Sequence, residues 1–163
     1  MGDRPRVGIS ACLLGEPVRY DGRHKRDAWL VDVLGPQVEW VPVCPEVEAG
    51  FGTPREAMHL MDNGRGGLAL MTTDTKRDVT ETMQRYARGR VDELAGAGLD
   101  GYVLKADSPS CGLEGPGLFA AALIARPPKN LWKSVCTGSR LPSSCGRRAP
   151  IASSPRDSCS PKA

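Results

Sequence analysis

Three cysteines stand where an extended apolar run gives way to a turn. Cys12 follows Val7-Gly8-Ile9-Ser10-Ala11, Cys44 follows Trp40-Val41-Pro42-Val43, and Cys111 lies in Ser108-Pro109-Ser110-Cys111-Gly112, soon after Tyr102-Val103-Leu104. A thiolate is a soft metal ligand. In an open α/β sheet the carboxyl ends of the strands share one edge, where ligands bind. Three thiols delivered there can converge on one metal centre, and three rather than four leave a coordination position open for chemistry. Their spacings, 32 and then 67 residues, match no zinc-finger or ferredoxin run. Taken singly, each is as readily a small buried hydrophobe; the shared strand-end context carries the argument.

The neighbours of these cysteines extend the chemistry. Glu46, two residues after Cys44, puts a carboxylate beside a thiolate, where it can give or take a proton. Ser108 and Ser110 bring hydroxyls around a stiffening Pro109. Arg19-Tyr20-Asp21-Gly22 is a compact polar cluster able to orient a small ligand, although Asp-Gly is also ordinary turn chemistry. Arg55, after a glycine loop, can pin an anion or a carbonyl, or merely pair with a surface acid. The helix after Gly117 would point its first N–H groups at anionic sulfur or a substrate oxygen. His24 and His59 are too far from any cysteine in sequence to suggest a Cys/His zinc site.

The elements that must position these residues form an α/β pattern. Residues 6–10 read as a first buried strand, 27–34 as a helix stopped by Gly35-Pro36, and 38–43 as a β-branched and aromatic second strand. Strand, helix, strand is a βαβ unit with parallel strands, so Cys12 and Cys44 emerge on the same edge. Residues 68–72 read as a short strand. Val79, Met83, Tyr86, Ala87, Val91, Leu94 and Ala95 then recur at helical spacing, behind a Thr75-to-Asp78 capping box. Residues 101–105 read as a strand and 118–125 as a helix.

Composition separates a body from a tail. The 163 residues carry a net charge of +3, but residues 126–163 contribute eight Lys/Arg against one Asp, leaving residues 1–125 mildly acidic. That distribution speaks against a nucleic-acid footprint over the fold. No apolar run is long enough to cross a membrane, and too few residues precede Ile9-Ser10-Ala11-Cys12 to form an apolar signal core. A cytoplasmic protein is expected, in which six cysteines point to metal or catalysis rather than disulfides. Beyond residue 125 the periodicity stops, and six Pro and eight Ser fill the last 38 residues. The expected organisation is one domain over 1–125, then a basic Ser/Pro/Arg-rich tail over 126–163 that is disordered or arises from a shifted coding frame. Cys136, Cys145 and Cys159 in that tail are expected to carry no function.

Five motifs in order, Ser10-Ala11-Cys12-Leu13-Leu14-Gly15, Val18-Arg19-Tyr20-Asp21-Gly22, Cys44-Pro45-Glu46, Pro54-Arg55 and Ser108-Pro109-Ser110-Cys111-Gly112, resemble the DUF523 family, which contains the bacterial 2-thiouracil desulfurases. The resemblance spans residues 5–125 and implies a single Rossmann-like α/β domain with a largely parallel sheet. It implies a [4Fe–4S] cluster on Cys12, Cys44 and Cys111, with one iron free of protein ligands and able to take the sulfur of a thiolated nucleobase. The implied reaction is a hydrolytic C–S cleavage without net redox, with Glu46 and Ser108 as catalytic helpers and Tyr20, Asp21, Arg55 and Ser110 around the substrate. The expected partners are a small thiolated base and the iron–sulfur assembly machinery that loads the cluster. The competing expectations are a non-catalytic metal- or cluster-binding module and a sulfide-carrying protein.

Overall fold

The computed structural model describes residues 4–113 and 117–127. Three parallel strands form the main sheet: β1 (Arg6–Ser10), β2 (Glu39–Val43) and β5 (Gly101–Val103), in the order β2-β1-β5. The register places Ser10 beside Val43 and Ile9 beside Val103, so the chain leaves β1 and β2 at one level of the same edge. A separate antiparallel hairpin joins β3 (Met58–Asp62) to β4 (Leu68–Thr72). Among the described residues, two α-helices complete the fold, α1 (Thr80–Gly96) and α2 (Leu118–Ala125).

Strand alternation divides the core between the two faces of the sheet. Tyr102, Leu104 and Val43 join Ala87, Val91 and Leu94 of α1 and Phe119, Ala120 and Leu123 of α2 on one face. Ile9 and Val103 join Cys12, Leu13 and Leu30 on the other. The buried residues of α1, Met83, Ala87, Val91 and Leu94, make the expected stripe at i, i+4, i+8 and i+11. Its first turn packs with Leu70 and Val79 beneath the hairpin. Gly8 is required at the centre of β1, because the Tyr102 ring occupies the space a Cβ would fill.

Several local expectations are corrected. Residues 27–34 do not form a regular α-helix: Trp29–Leu34 is a π-helical segment that tightens into a 3-10 turn at Gly35–Gln37. Asp27 starts it, its Oδ1 accepting the Leu30 N–H at 3.1 Å. Thr75 does not cap α1; its N–H and hydroxyl donate to Glu56, while Asp78 Oδ1 accepts the Thr80 N–H at 2.9 Å. β3 was missed because Met58-His59-Leu60-Met61 lacks the alternation of a half-buried strand, and its outward residues stay exposed. β5 stops at Val103, two residues short of the expected end. No described helix is long and apolar enough to cross a membrane. The expectations for the tail, including Cys136, Cys145 and Cys159, lie outside the described residues apart from Arg126 and Pro127.

Candidate active site

Each cysteine reaches the sheet edge by a different device. A 3-10 turn, Ala11–Leu14, follows β1 directly and buries Cys12, ending at Gly15 with φ 99°. The Cys12 carbonyl accepts the N–H groups of Gly15 and Lys25, which pins the following loop over the site. Cys44 sits where β2 turns into a short helical segment, and the N–H groups of Val47 and Glu46 face its sulfur. Cys111 lies in a loop organised by Ser108, whose Oγ accepts the N–H groups of Ser110 at 3.3 Å and Cys111 at 3.1 Å. All three are free thiols and line one cavity of about 210 Å³.

Burial pushes all three thiols up. Cys12 rises to about 11, against which Lys105 acts most strongly in the other direction. Cys111 rises to about 12, opposed by a hydrogen bond from Ser10. Cys44 also rises by burial, opposed by its two backbone N–H groups. Cys44 adds to the rise of Cys12, and Cys44 and Cys12 both add to that of Cys111, so the three lie within electrostatic reach across the cavity.

Glu46 enters the same cavity in a fixed orientation. Its Oε2 is gripped by Arg55 through both Nε and Nη2, and its Oε1 accepts the Ser110 hydroxyl at 2.8 Å. The Arg55 and Glu46 side chains are only 6% and 13% exposed. Arg55 Nη1 also donates to the carbonyls of Val18 and Gly52, at 3.0 and 2.8 Å. Arg55 is therefore a scaffold for Glu46 and for the Val18 loop, with its donors already engaged.

Of the residues expected around the site, Cys12, Cys44, Cys111, Glu46, Ser108, Tyr20 and Arg55 all line the cavity. Tyr20 stands at its mouth, 44% exposed, with the Arg19 guanidinium 5.7 Å from its ring centroid. Asp21 is not on the wall; it pairs with Arg19 and Arg23 and accepts the Arg23 N–H, which is the turn role its Asp-Gly context allows. Ser110 is fully buried behind Glu46. The first N–H groups of α2 do not face the cavity as expected. Leu118 donates to the Pro109 carbonyl, and Phe119 and Ala120 both donate to the Ser110 carbonyl. The cysteine loop thus caps α2, and Gly117 permits the approach, since a Cβ there would meet the Ser110 carbonyl group.

Ser10, Lys105 and Glu48 had no role in the sequence reading. The Ser10 hydroxyl accepts the Lys105 N–H at 3.0 Å and faces Cys111. Lys105 lines the cavity, its Nζ held 2.5 Å from the Ala106 carbonyl. Glu48 bonds the Cys44 backbone. The signals were present: Ser10 and Lys105 are strand-end polar residues, and Cys44-x-x-x-Glu48 is a helical i, i+4 pair.

A thiol-lined cavity with a buried, oriented carboxylate at the carboxyl edge of a parallel sheet defines an enzyme of the α/β class. Comparison with known proteins makes the class specific. The profile of the 2-thiouracil desulfurase family matches residues 7–132, and the chain belongs to that family. It is 36% identical over 112 residues to the uncharacterized protein YbbK of Bacillus subtilis (strain 168), covering 64% of this chain and 71% of that one. It is also similar to a solved structure, the [4Fe–4S]-dependent thiouracil desulfidase TudS, with a TM-score of 0.67 and 30% identity over 83% of this chain and 91% of that one.

Proposed function

We propose that this chain is a [4Fe–4S]-dependent desulfidase that removes sulfur from a small thiolated pyrimidine base, with Cys12, Cys44 and Cys111 as the three ligands of its cluster. The observation that carries this reading is the convergence of three free thiols, from three separate loops, on one cavity that also holds Glu46. Family membership and the likeness to TudS support the same assignment. Thiol ligands of this kind belong in a reducing compartment, so the protein works in the cytoplasm and is loaded there by iron–sulfur assembly machinery.

When bound, the cluster supplies an iron without a protein ligand, a soft Lewis acid for the thiocarbonyl sulfur. The remaining work falls to the chain. The net reaction is hydrolysis: the oxygen of water replaces sulfur on the ring carbon, and sulfide leaves without electron transfer. Glu46 Oε1, the oxygen not held by Arg55, takes a proton from the attacking water and returns it later in the turnover. Ser108 acts as a donor rather than a base. Its two lone pairs are committed to the N–H groups of Ser110 and Cys111, which leaves its hydroxyl hydrogen for the base or the water. Tyr20 covers the ring at the mouth.

Anaerobic purification tests the cofactor, and sulfide release from 2-thiouracil tests the reaction. About four irons per chain and a brown protein are expected, together with uracil and sulfide in equal amounts. A colourless protein with one zinc overturns the cluster. A brown protein that releases no sulfide overturns the activity and favours a cluster-binding module.

A further inference from the structure

Cys44 has a partner that the cavity itself does not contain. The β1–β2 ladder ends at the Ser10–Val43 pair, so the Cys44 N–H lies beyond it on an edge strand. Glu48 Oε1 accepts that N–H at 3.1 Å, while the Glu48 N–H donates to the Cys44 carbonyl at 2.9 Å. This reciprocal pair works like a capping box and fixes the turn that carries the sulfur.

The other carboxylate oxygen of Glu48 is held from α1. Tyr86 donates its hydroxyl to Oε2 at 2.6 Å. Arg90 Nε lies 3.2 Å from the same oxygen, close enough for charge attraction although its N–H is not aligned for a hydrogen bond. Arg90 is in turn fixed by Glu93 at 2.7 Å. The Tyr86 ring stacks on Phe119 of α2, with centroids 6.3 Å apart. Because Phe119 opens the helix capped by the Ser110 carbonyl, the same aromatic contact reaches the loop of Cys111. α1 is thereby connected to two of the three thiol-bearing loops without touching the cavity.

We propose that Glu48 is a positioning residue for the metal centre: anchored by Tyr86 and Arg90, its carboxylate sets the place of the Cys44 sulfur relative to those of Cys12 and Cys111. The role rests on the three-thiol cluster assigned above, and its consequence is specific. A carboxylate with one oxygen on a ligand backbone and the other on a rigid helix transmits helix position to ligand position. Weakening it leaves all three ligands present but misplaces one of them. The cluster then forms and is lost more easily, with an altered electronic signature.

Three variants test this in the loaded protein: Tyr86→Phe, Glu48→Gln and Glu48→Ala. Tyr86→Phe keeps the stacked ring and removes only a donor to Glu48, so it reports even if Glu48→Ala fails to fold. Glu48→Gln keeps an acceptor for the Cys44 N–H. The readouts are the anaerobic rate of iron loss to a ferrous chelator and the electron paramagnetic resonance spectrum of the dithionite-reduced cluster. Loss of a hydrogen bond to a charged acceptor is worth about tenfold. Glu48→Ala is expected to speed iron loss by about that factor and shift the spectrum, Tyr86→Phe to do both to a smaller extent, and Glu48→Gln to restore most of the wild-type behaviour. Wild-type spectra and release rates in both Tyr86→Phe and Glu48→Ala overturn the positioning role while leaving the cluster assignment intact. A wild-type protein that assembles no cluster overturns the cluster assignment itself and this role with it.

Discussion

Replacing Glu46 by Gln separates the proton-moving role proposed for this side chain from its structural one. The more usual Ala substitution does not. With Ala, Arg55 is stranded in a site where its side chain is 6% exposed, and breaking a buried ion pair costs about 3–5 kcal/mol. That is a large part of the roughly 5–15 kcal/mol that holds a domain together. Gln fits the same contacts. Its carbonyl oxygen can take the place of Oε2 and accept from Arg55, and its amide can face Ser110, whose hydroxyl oxygen then accepts instead of donating. With the hydrogen bonds kept and only the charge removed, the cost should fall to about 1–3 kcal/mol. Iron content should therefore stay at the wild-type level. Turnover should drop about 10²–10⁴-fold, the range for loss of a general acid–base group. Sulfide release from 2-thiouracil, measured beside iron content and urea unfolding, reads all three. Turnover within about tenfold of wild type would refute proton transfer by Glu46. Loss of iron along with turnover would make the residue structural instead.

Cys111→Ala should abolish iron binding, whereas changing Cys136, Cys145 and Cys159 together to Ser should leave iron per chain unchanged; retained iron in the first or lost iron in the second contradicts the ligand assignment. Gly8→Ala drives a methyl group into the Tyr102 ring between β1 and β5 and should destabilise the domain by about 1–3 kcal/mol in urea. Glu56 accepts the Asp74 N–H, the Thr75 N–H and the Thr75 hydroxyl, and the Thr75 hydrogen bonds hold its carboxyl below the ordinary value of 4.5. A carboxyl lowered on folding stabilises above its unfolded pKa and loses that contribution as pH falls from 4.5 through the folded value. Glu56→Gln should thus lower stability at neutral pH and flatten its acid limb, while equal losses at both ends of that window would remove the charge from the explanation.

What the sequence disclosed and what it hid follow from the range of the interactions involved. α1 was legible because burial of one face imposes a local period, the Met83, Ala87, Val91, Leu94 stripe, whereas β1, β2, β4 and α2 were legible as short apolar runs bounded by turn residues. The meeting of the three cysteines at one edge was legible because a strand end beside Gly or Pro is itself a local signal. Trp29–Leu34 was misjudged because helical spacing does not distinguish an α-helix from a π-helical segment run tightly into Gly35–Gln37. The contacts that organise the site join residues far apart in the chain. Ser110 and Glu46 are 64 positions apart, and Lys105 and Ser10 are 95 apart. In sequence Arg55 was open between pinning an anion or a carbonyl and pairing with a surface acid. Only the fold reveals that Glu46, Val18 and Gly52 use its donors.

The charges in the cavity bear on how the proposed metal centre would form. Glu46 is balanced by Arg55, and Lys105 and Arg19 oppose the burial of Cys12 without overcoming it. With Cys12 at about 11 and Cys111 at about 12, the free thiols remain protonated at neutral pH. Raising Cys111 from 9.0 to about 12 adds about 4 kcal/mol to the cost of its thiolate at 1.36 kcal/mol per unit. The same burial keeps an unloaded protein poor in thiolate and slow to oxidise. A cavity that resists forming thiolates is therefore suited to hold the proposed centre, which supplies its own charge, and Glu46, the carboxylate proposed to carry protons, already has Arg55 as its counter-ion.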